Sequence, residues 1–330
     1  MSHTEINTSR LNELNQWLKK VLPETEYKLE PASSDASFRR YFRVTQQDTS
    51  WIVMDAPPAK EDTGPFIKIA EFLFSHSVNV PEIHAKDTEM GFLLLSDLGS
   101  KQYLAELNNV TATKLYHSAI DELIQLQLSN TTMIKLPDYD AEKLHQEMSL
   151  FPEWYLAKHL NIDPPEFLDE LFQLLINSAL EQPPVFVHRD YHSRNLMYIS
   201  DNKPGIIDFQ DAVIGPISYD LVSLLRDCYI VWSDGQIASW IDYYFSQAQQ
   251  KGLLPPTTSL TTFTRWFDFM GIQRHLKVLG IFSRLNYRDN KVNYMLDIPL
   301  TLKYVRQISG RYPELAELHQ FVNKLPDENS

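Results

Sequence analysis

The sequence predicts an α+β protein with two lobes, a small antiparallel β-rich N-terminal lobe and a larger helical C-terminal lobe. Strand-like segments are concentrated before Gly99, in the order β-β-α-β-β, whereas long helical patterns dominate after it. The chain of 330 residues also exceeds the roughly 250–300 at which one hydrophobic core usually stops growing. We therefore expect lobes over residues 1–97 and 98–330, each with its own core.

The elements of the N-terminal lobe follow from the spacing of apolar residues. Leu11, Leu14, Leu18 and Val21 recur at helical spacing and predict an amphipathic opening helix over residues 4–21. Aromatic and β-branched residues predict the strands, and a Pro-Pro break precedes the helix between them. The predicted strands cover residues 37–44, 51–55, 82–86 and 92–96, with the helix over 65–75.

Eight helical patterns make up most of the C-terminal lobe. They cover residues 101–108, 111–129, 141–160, 166–180, 219–232, 236–250, 258–287 and 293–308. Three short apolar segments, 185–190, 195–199 and 204–208, interrupt them. Pro204 and Gly205 predict a tight turn between the last two segments.

Charge and cysteine content exclude several classes of partner. The 30 Lys and Arg against 43 Asp and Glu give a net charge of −13, which disfavours nucleic acid and anionic membranes but not a small anionic ligand. Cys228 is the single cysteine and lies in an apolar run, which predicts a buried thiol. The start shows no signal-peptide pattern, and no apolar run reaches about 18 residues. We expect a cytoplasmic monomer.

The strongest chemical signal lies in residues 187–210. His188 and Asp190 are followed by Asn195 five residues after the aspartate, and Asp208 comes thirteen residues later. A loop carboxylate that accepts a hydroxyl proton, with an Asn and a second Asp holding Mg²⁺, is the arrangement that phosphoryl transfer needs. Mg²⁺ prefers such hard oxygen ligands. Turn capping alone would not explain the joint spacing of the four residues.

This segment resembles the H-R-D-x-x-x-x-N loop and the D-F-G aspartate of the protein kinase-like fold. It is most similar to the aminoglycoside phosphotransferase-like family, whose I-D-[FW]-x-x-A-x-x-G-x-x-x-x-D-L continuation matches residues 207–221. The resemblance implies a two-lobe kinase with ATP as phosphoryl donor. It places nucleotide binding in residues 1–97 and catalysis and substrate binding in residues 98–330.

Several roles around the loop follow from position. Only eleven residues separate Asp208 from Asp220, which leaves no room for a peptide-docking activation loop and favours a small-molecule acceptor. Asp220 is expected to anchor its helix to the catalytic loop. The predicted catalytic residues are Asp190, His188 and Arg194, with His188 organising the loop. Arg194 either stabilises the transferring phosphate or pairs with a carboxylate.

The nucleotide lobe departs from the kinase pattern. No glycine precedes Asp62, so small polar residues 33–37, with Ser34 and Ser37, are expected to cover the phosphates unless they form a plain turn. The strand over 51–55 has no lysine, and Glu71 is an uncertain ion-pair partner.

The positive charge that a strand lysine would supply to the phosphates is expected instead from one of three arginines in the preceding strand, over residues 37–44. Arg39, Arg40 and Arg43 are the candidates, and a solvated face is the alternative reading for them. The candidate nucleotide-binding residues therefore include Arg39 and Arg43. They also include Asp97 and Leu98, in the segment that should meet the adenine edge with its backbone.

Residues 35–43, 54–58, 150–154 and 273–280 resemble the anomeric N-acetylmuramate/N-acetylglucosamine kinases of bacterial cell-wall (peptidoglycan) recycling. That similarity implies ATP- and Mg²⁺-dependent phosphorylation of an amino sugar at its C1 hydroxyl to the α-1-phosphate. The candidate acceptor-binding residues are Glu147, Glu153, Trp154, His192, Asp211 and Arg274. The alternatives are a solvated face for the 274–277 region, core packing for Trp154, another small alcohol as acceptor, and a nucleotide-binding pseudokinase.

Overall fold

The computed structural model describes residues 3–326 except 23, 25, 35–37 and 200–202. Five antiparallel strands form a sheet with the order β1-β2-β3-β5-β4. These strands are β1 (Lys28–Ser34), β2 (Arg40–Gln46), β3 (Thr49–Asp55), β4 (Ile83–Asp87) and β5 (Phe92–Ser96). Helix α1 (His3–Val21) precedes the sheet, and α2 (Gly64–Ser75) connects β3 to β4. The α+β class and the β-rich N-terminal lobe are confirmed.

The rest of the described chain is mostly helical. Its α-helices are α3 (Tyr103–Glu106), α4 (Ala112–Gln127), α5 (Ala141–Met148), α6 (Phe167–Leu180), α7 (Tyr219–Leu225), α8 (Asp234–Gln250), α9 (Leu260–Asp289), α10 (Ile298–Ser309) and α11 (Ala316–Val322). A π-helix covers Phe151–Leu160, and 3₁₀ turns cover Thr131–Met133, Val292–Asp297 and Pro313–Leu315. Two antiparallel pairs lie among the helices: β6 (Pro184–Val187) with β9 (Val213–Pro216), and β7 (Leu196–Tyr198) with β8 (Pro204–Ile206).

The sheet buries both faces because side chains alternate along each strand. Phe92 and Leu94 of β5 pack with Leu14 and Leu18 of α1 in a small core. Leu93, on the opposite face, joins the main core together with α2 and the helices of the C-terminal lobe. The expectation of two separate cores is therefore wrong for this face, which shares one core with the helical lobe. The predicted boundary at 97/98 falls in the connection between β5 and α3.

The sequence pattern does not predict strand β1, since the first predicted strand starts at residue 37. Pro31 lies in its middle, and proline cannot donate to a strand ladder. The strand tolerates it because β1 is at the edge of the sheet, where the pairing with β2 shifts register between Pro31 and Ser33.

Pro204 and Gly205 lie within β8 and not in the predicted turn.

The predicted helix over 141–160 is divided into α5 and the π-helix, which packs on α9. Gly280 of α9 sits at the contact, where an added Cβ would lie 2.3 Å from the backbone carbon of Leu150. Only a hydrogen fits at that position, since the obstacle is backbone and cannot rotate away. The close approach of two backbones therefore depends on this glycine.

Gly280→Ala should lower the free energy of unfolding by about 1–3 kcal/mol, because the methyl group forces α9 away from the π-helix. Urea denaturation of the full chain measures the effect. Gly235→Ala in α8 is the matched control, since nothing lies within 4 Å of its added Cβ, and it should leave stability unchanged or raise it. Equal stability of the two variants would contradict the packing argument.

Among the described residues, no helix combines the length and apolar character needed to cross a membrane.

Candidate active site

A cleft of about 480 Å³ lies between the sheet and the helical lobe. Ile52 of β3 and Leu95 of β5 line its sheet side, with Leu98 and Gly99 of the segment that follows β5. Asp190 and Asp208 line the opposite side. The other lining residues are Ala32, Tyr41, Arg43, Phe66, Pro81, Ser96, Ser100, Gln102, His192, Arg194, Asn195, Met197, Ile207, Phe209, Tyr229 and Tyr294. The cleft thus joins an apolar part to a charged part.

The loop that carries Asp190 begins directly after β6 and is fixed by a buried carboxylate. Asp220, in the first turn of α7, accepts hydrogen bonds from the backbone N–H of His188 at 2.6 Å and of Arg189 at 3.0 Å. Burial raises the pKa of Asp220 to about 7, and the two N–H donors oppose that rise. The predicted anchoring role of Asp220 is confirmed. Arg189 has a φ of 78°, which costs energy for a side-chain-bearing residue.

His188 organises the loop through both ring nitrogens. Its Nε2 donates to the carbonyl of Ile207 at 3.0 Å, and its Nδ1 accepts from the backbone N–H of Asp190 at 3.2 Å. Burial lowers the pKa of His188 to about 4, so the ring is neutral near pH 7. A neutral ring with this tautomer positions Asp190 and has no proton-accepting nitrogen left for an acceptor.

Asp190 is ionised near neutral pH. Burial alone would raise its pKa, but nearby positive charges, the buried Lys277 foremost, outweigh burial and hold the pKa below its ordinary value. The second half of the loop is held by Asp227, which accepts from the backbone N–H of Ser193 at 3.0 Å. The loop therefore presents a fixed, charged carboxylate to the cleft.

Asn195 and Asp208 meet on the same wall of the cleft. The Asn195 side-chain nitrogen donates to the Asp190 carbonyl at 3.1 Å and to Asp208 Oδ2 at 3.3 Å. Gln210 donates to Asp208 Oδ1 at 2.8 Å. A carboxylate and an amide side by side suit Mg²⁺, which takes few protein ligands and completes its shell with phosphate and water. The pair fits that cation, and no group of three or more acidic, His or Cys side chains exists in the described ranges that would favour another metal.

The three candidate arginines have different partners. Arg40 binds the buried carboxylate of Asp55. Arg43 donates to Asp97 at 2.6 and 3.0 Å and to the carbonyl of Gly99 at 2.9 Å. Arg39 lies with a guanidinium nitrogen 3.9 Å from Asp208 Oδ1. Arg39 is thus the arginine beside Asp208, and none of the three belongs to a simple solvated face.

The nucleotide-side predictions have mixed outcomes. Leu98 lines the cleft, whereas the side chain of Asp97 is buried and fixes the segment through Arg43. Ser34 ends β1, and Ser37 lies outside the described residues. Glu71 is exposed and pairs with Lys86 at 2.6 Å, so it is not an internal partner for a phosphate-binding cation.

A buried cluster of charged side chains packs against the loop that carries Asp190. Glu147 of α5 binds Arg189, accepts a hydrogen bond from Tyr139, and pairs with Lys277 of α9 at 2.9 Å. Both carboxylate oxygens of Glu147 are thereby occupied by protein, which differs from its predicted contact with the acceptor. The cluster links α5, α9 and the loop and leaves little room for movement.

The middle of helix α9 carries charged residues that are buried in the protein. Arg274 is 4% and Lys277 7% exposed, so the alternative of a solvated face is wrong. Arg274 donates to the sulfur of Cys228 at 3.7 Å and does not line the cleft. Cys228 is buried, as predicted.

The predicted acceptor residues are not all brought together. His192 lines the cleft and is about nine-tenths buried. Glu153 and Trp154 lie on the π-helix, and Asp211, three positions after Asp208, is exposed. None of these three residues lines the cleft. The structure therefore separates them from Asp190.

Three residues of the site were missed by sequence reasoning. Tyr229 and Tyr294 line the cleft, and Asp227 fixes the loop. Asp227 could have been found from the sequence, because the charged pair Arg226-Asp227 lies inside an otherwise apolar run and a buried charge needs a specific partner. No comparable signal marks the tyrosines.

Comparison with known proteins agrees with this geometry. A protein named N-acetylmuramate/N-acetylglucosamine kinase from Pseudomonas aeruginosa is 46% identical to the chain, over 96% of this chain and 97% of its own. The fold is similar to an ethanolamine kinase from Plasmodium vivax (TM-score 0.65, 11% identity, covering 92% of this chain and 88% of that one). It is also similar to an ADP-bound aminoglycoside phosphotransferase (TM-score 0.58, 15% identity, covering 88% and 97%). The protein kinase-like two-lobe fold is thereby confirmed. Residues 28–255 match the phosphotransferase enzyme family, and the chain belongs to that family.

Proposed function

We propose that the protein is an ATP-dependent kinase that phosphorylates the C1 hydroxyl of N-acetylmuramate, N-acetylglucosamine or both, giving the α-1-phosphate. The observation that carries this proposal is the meeting of Asp190, Asn195 and Asp208 on one wall of the cleft. The sugar class comes from the near full-length similarity to the Pseudomonas kinase.

Each residue then has a distinct task in the transfer. The carboxylate of Asp190 orients the C1 hydroxyl and accepts its proton as the sugar oxygen bonds to the γ-phosphorus of ATP. The bond between that phosphorus and the β–γ bridging oxygen breaks, and ADP leaves with the electron pair. Asn195 and Asp208 would hold Mg²⁺, which supplies neutralisation of the phosphate charge. His188 and Asp220 keep Asp190 in place.

The charged end of the cleft supports a sugar acceptor. Tyr294 lines the same cleft and supplies an aromatic ring, and His192 supplies ring nitrogens for hydroxyl groups. Burial lowers the pKa of His192, which favours the neutral ring. Arg194 at the same end disfavours a polycationic acceptor such as an aminoglycoside. The similarity to a kinase named for these two sugars supports a role in the recycling of cell-wall sugars in the cytoplasm, where ATP is supplied.

³¹P NMR of the purified protein with Mg-ATP and each sugar tests the proposal. A new sugar-phosphate resonance coupled to the anomeric proton is expected. ATP binding without a product from either sugar would overturn the sugar assignment, and a product phosphorylated at another carbon would overturn the C1 assignment.

Arg39→Gln should raise the KM for ATP by about 10- to 100-fold, because a charge-assisted hydrogen bond to phosphate is worth roughly 1.5–3 kcal/mol. Its guanidinium lies 3.9 Å from Asp208 Oδ1, which supports a role for Arg39 in supplying the charge that the strand lysine supplies in other kinases. Steady-state kinetics at saturating sugar measure the change. Arg39→Lys should recover part of it. Lys28→Gln, which removes a charge paired with Glu30 on the same lobe, is the control; an equal KM in both Gln variants would contradict the assignment.

A further inference from the structure

Arg194 is a cation at the cleft whose donors have no close acceptor. Its side chain is 41% exposed, and the nearest carboxylate oxygen is Asp297 Oδ2 at 4.0 Å, beyond hydrogen-bond distance. Over the ranges that the structure describes, its guanidinium donates no hydrogen bond to protein. Since arginine carries five N–H donors, this residue is ready to bind a further group.

The orientation of Arg194 is set by an aromatic ring. Its guanidinium carbon lies 3.5 Å from the centroid of the Tyr229 ring. Tyr229 in turn packs edge-on against His192, with the ring centroids 5.3 Å apart. Stacking on a ring occupies the flat face of a guanidinium and leaves its in-plane N–H edge open, which matches the two oxygens of a carboxylate.

Three other cations of the region are bound to protein carboxylates. Arg43 is held by Asp97, and Arg189 binds Glu147. Lys277 is buried on Glu147. Arg39 lies 3.9 Å from Asp208, one of the two residues proposed to hold Mg²⁺. In the described part of the chain, Arg194 is therefore the cleft-lining cation with an open hydrogen-bonding edge.

The two candidate sugars differ by one charged group. N-acetylmuramate carries a lactyl ether on C3 that ends in a carboxylate, and N-acetylglucosamine has a hydroxyl there. An anionic acceptor must approach Asp190 and Asp208 in a protein with a net charge of −13, so it needs a local cation. Arg194 follows Asp190 by four residues and lines the same cleft.

We propose that Arg194 binds the carboxylate of the acceptor and sets the preference of the cleft for the anionic over the neutral amino sugar. This inference rests on the proposed function and adds a specificity-determining residue to it. Asp297 then acts as the counter-charge that Arg194 faces before the acceptor enters.

Arg194→Gln tests the inference, because glutamine keeps hydrogen-bond donors but lacks the positive charge. It also lacks the fork, that is, the paired N–H groups with which a guanidinium binds both oxygens of a carboxylate. The kcat/KM for N-acetylmuramate should fall about 10- to 100-fold, the loss expected for one charge-assisted contact. The kcat/KM for N-acetylglucosamine should change by less than about 3-fold. Retained turnover of the neutral sugar also shows that the variant is folded.

Two further variants sharpen the comparison. Arg288→Gln removes a charge from an exposed arginine that pairs with Asp289, and it should leave both sugars unaffected, which excludes a general effect of net charge. Arg194→Lys keeps the charge without the fork and should retain more N-acetylmuramate turnover than Arg194→Gln.

Equal losses for both sugars in Arg194→Gln would overturn the inference and assign Arg194 to the transferring phosphate, which the two reactions share. Unchanged kinetics for both sugars would overturn it as well. Failure of the unsubstituted protein to phosphorylate either sugar is a separate result, which overturns the proposed function and this inference with it.

Discussion

Asp190→Asn should reduce kcat by about 10²–10⁴-fold, the range that a positioned general base contributes. Asparagine has the shape of aspartate, so it keeps the backbone N–H contact to His188 and the fold of the loop. It lacks the negative charge that Lys277 stabilises and that the proposed mechanism uses to accept the sugar proton. The KM for ATP should change little, since the proposed mechanism assigns Asp190 to the acceptor and not to the nucleotide.

Initial rates with Mg-ATP and saturating N-acetylglucosamine measure the loss, and circular dichroism checks the fold. Asp242→Asn, an exposed substitution of the same kind on α8, is the control and should be fully active. Near-normal turnover in Asp190→Asn would remove Asp190 from the proton transfer.

The catalytic loop was predictable because its residues are close in the sequence. His188, Asp190, Asn195 and Asp208 lie within 21 positions, and the local strand–loop–strand pattern is enough to bring them together. The anchoring by Asp220 followed for the same reason. Short-range spacing thus encodes the chemistry of the site.

The surroundings of the loop could not be predicted in this way. Lys277 is buried only because Glu147, 130 positions earlier in the chain, meets it across the contact of α5 and α9. A charged pattern on a helix normally indicates a solvated face, and only the tertiary partner reverses that reading. The acceptor-binding residues could not be predicted from the sequence for a related reason. Tyr229 and Tyr294 reach the cleft from segments that have no local motif.

Asp208→Asn should reduce turnover by about 10³-fold, because neutralisation of phosphate charge by a bound cation supplies several kcal/mol to phosphoryl transfer. Asparagine is the informative substitution at this position. Asp208 has a φ of 68°, in the left-handed region, and asparagine adopts that region more readily than most residues. The backbone can therefore stay in place while the anionic ligand is lost.

Binding data separate this loss from a general defect. In the unsubstituted protein, Mg²⁺ should tighten ATP binding measured by calorimetry, since Asn195 and Asp208 would hold the cation and the cation would neutralise phosphate charge. In Asp208→Asn that gain should shrink, whereas affinity for ATP in the presence of EDTA should be kept, because the apolar end of the cleft around Ile52, Leu95 and Leu98 is intact. A full Mg²⁺ gain in the variant would mean that Asp208 does not hold the metal, and the charge near the γ-phosphate would then have to come from Arg39.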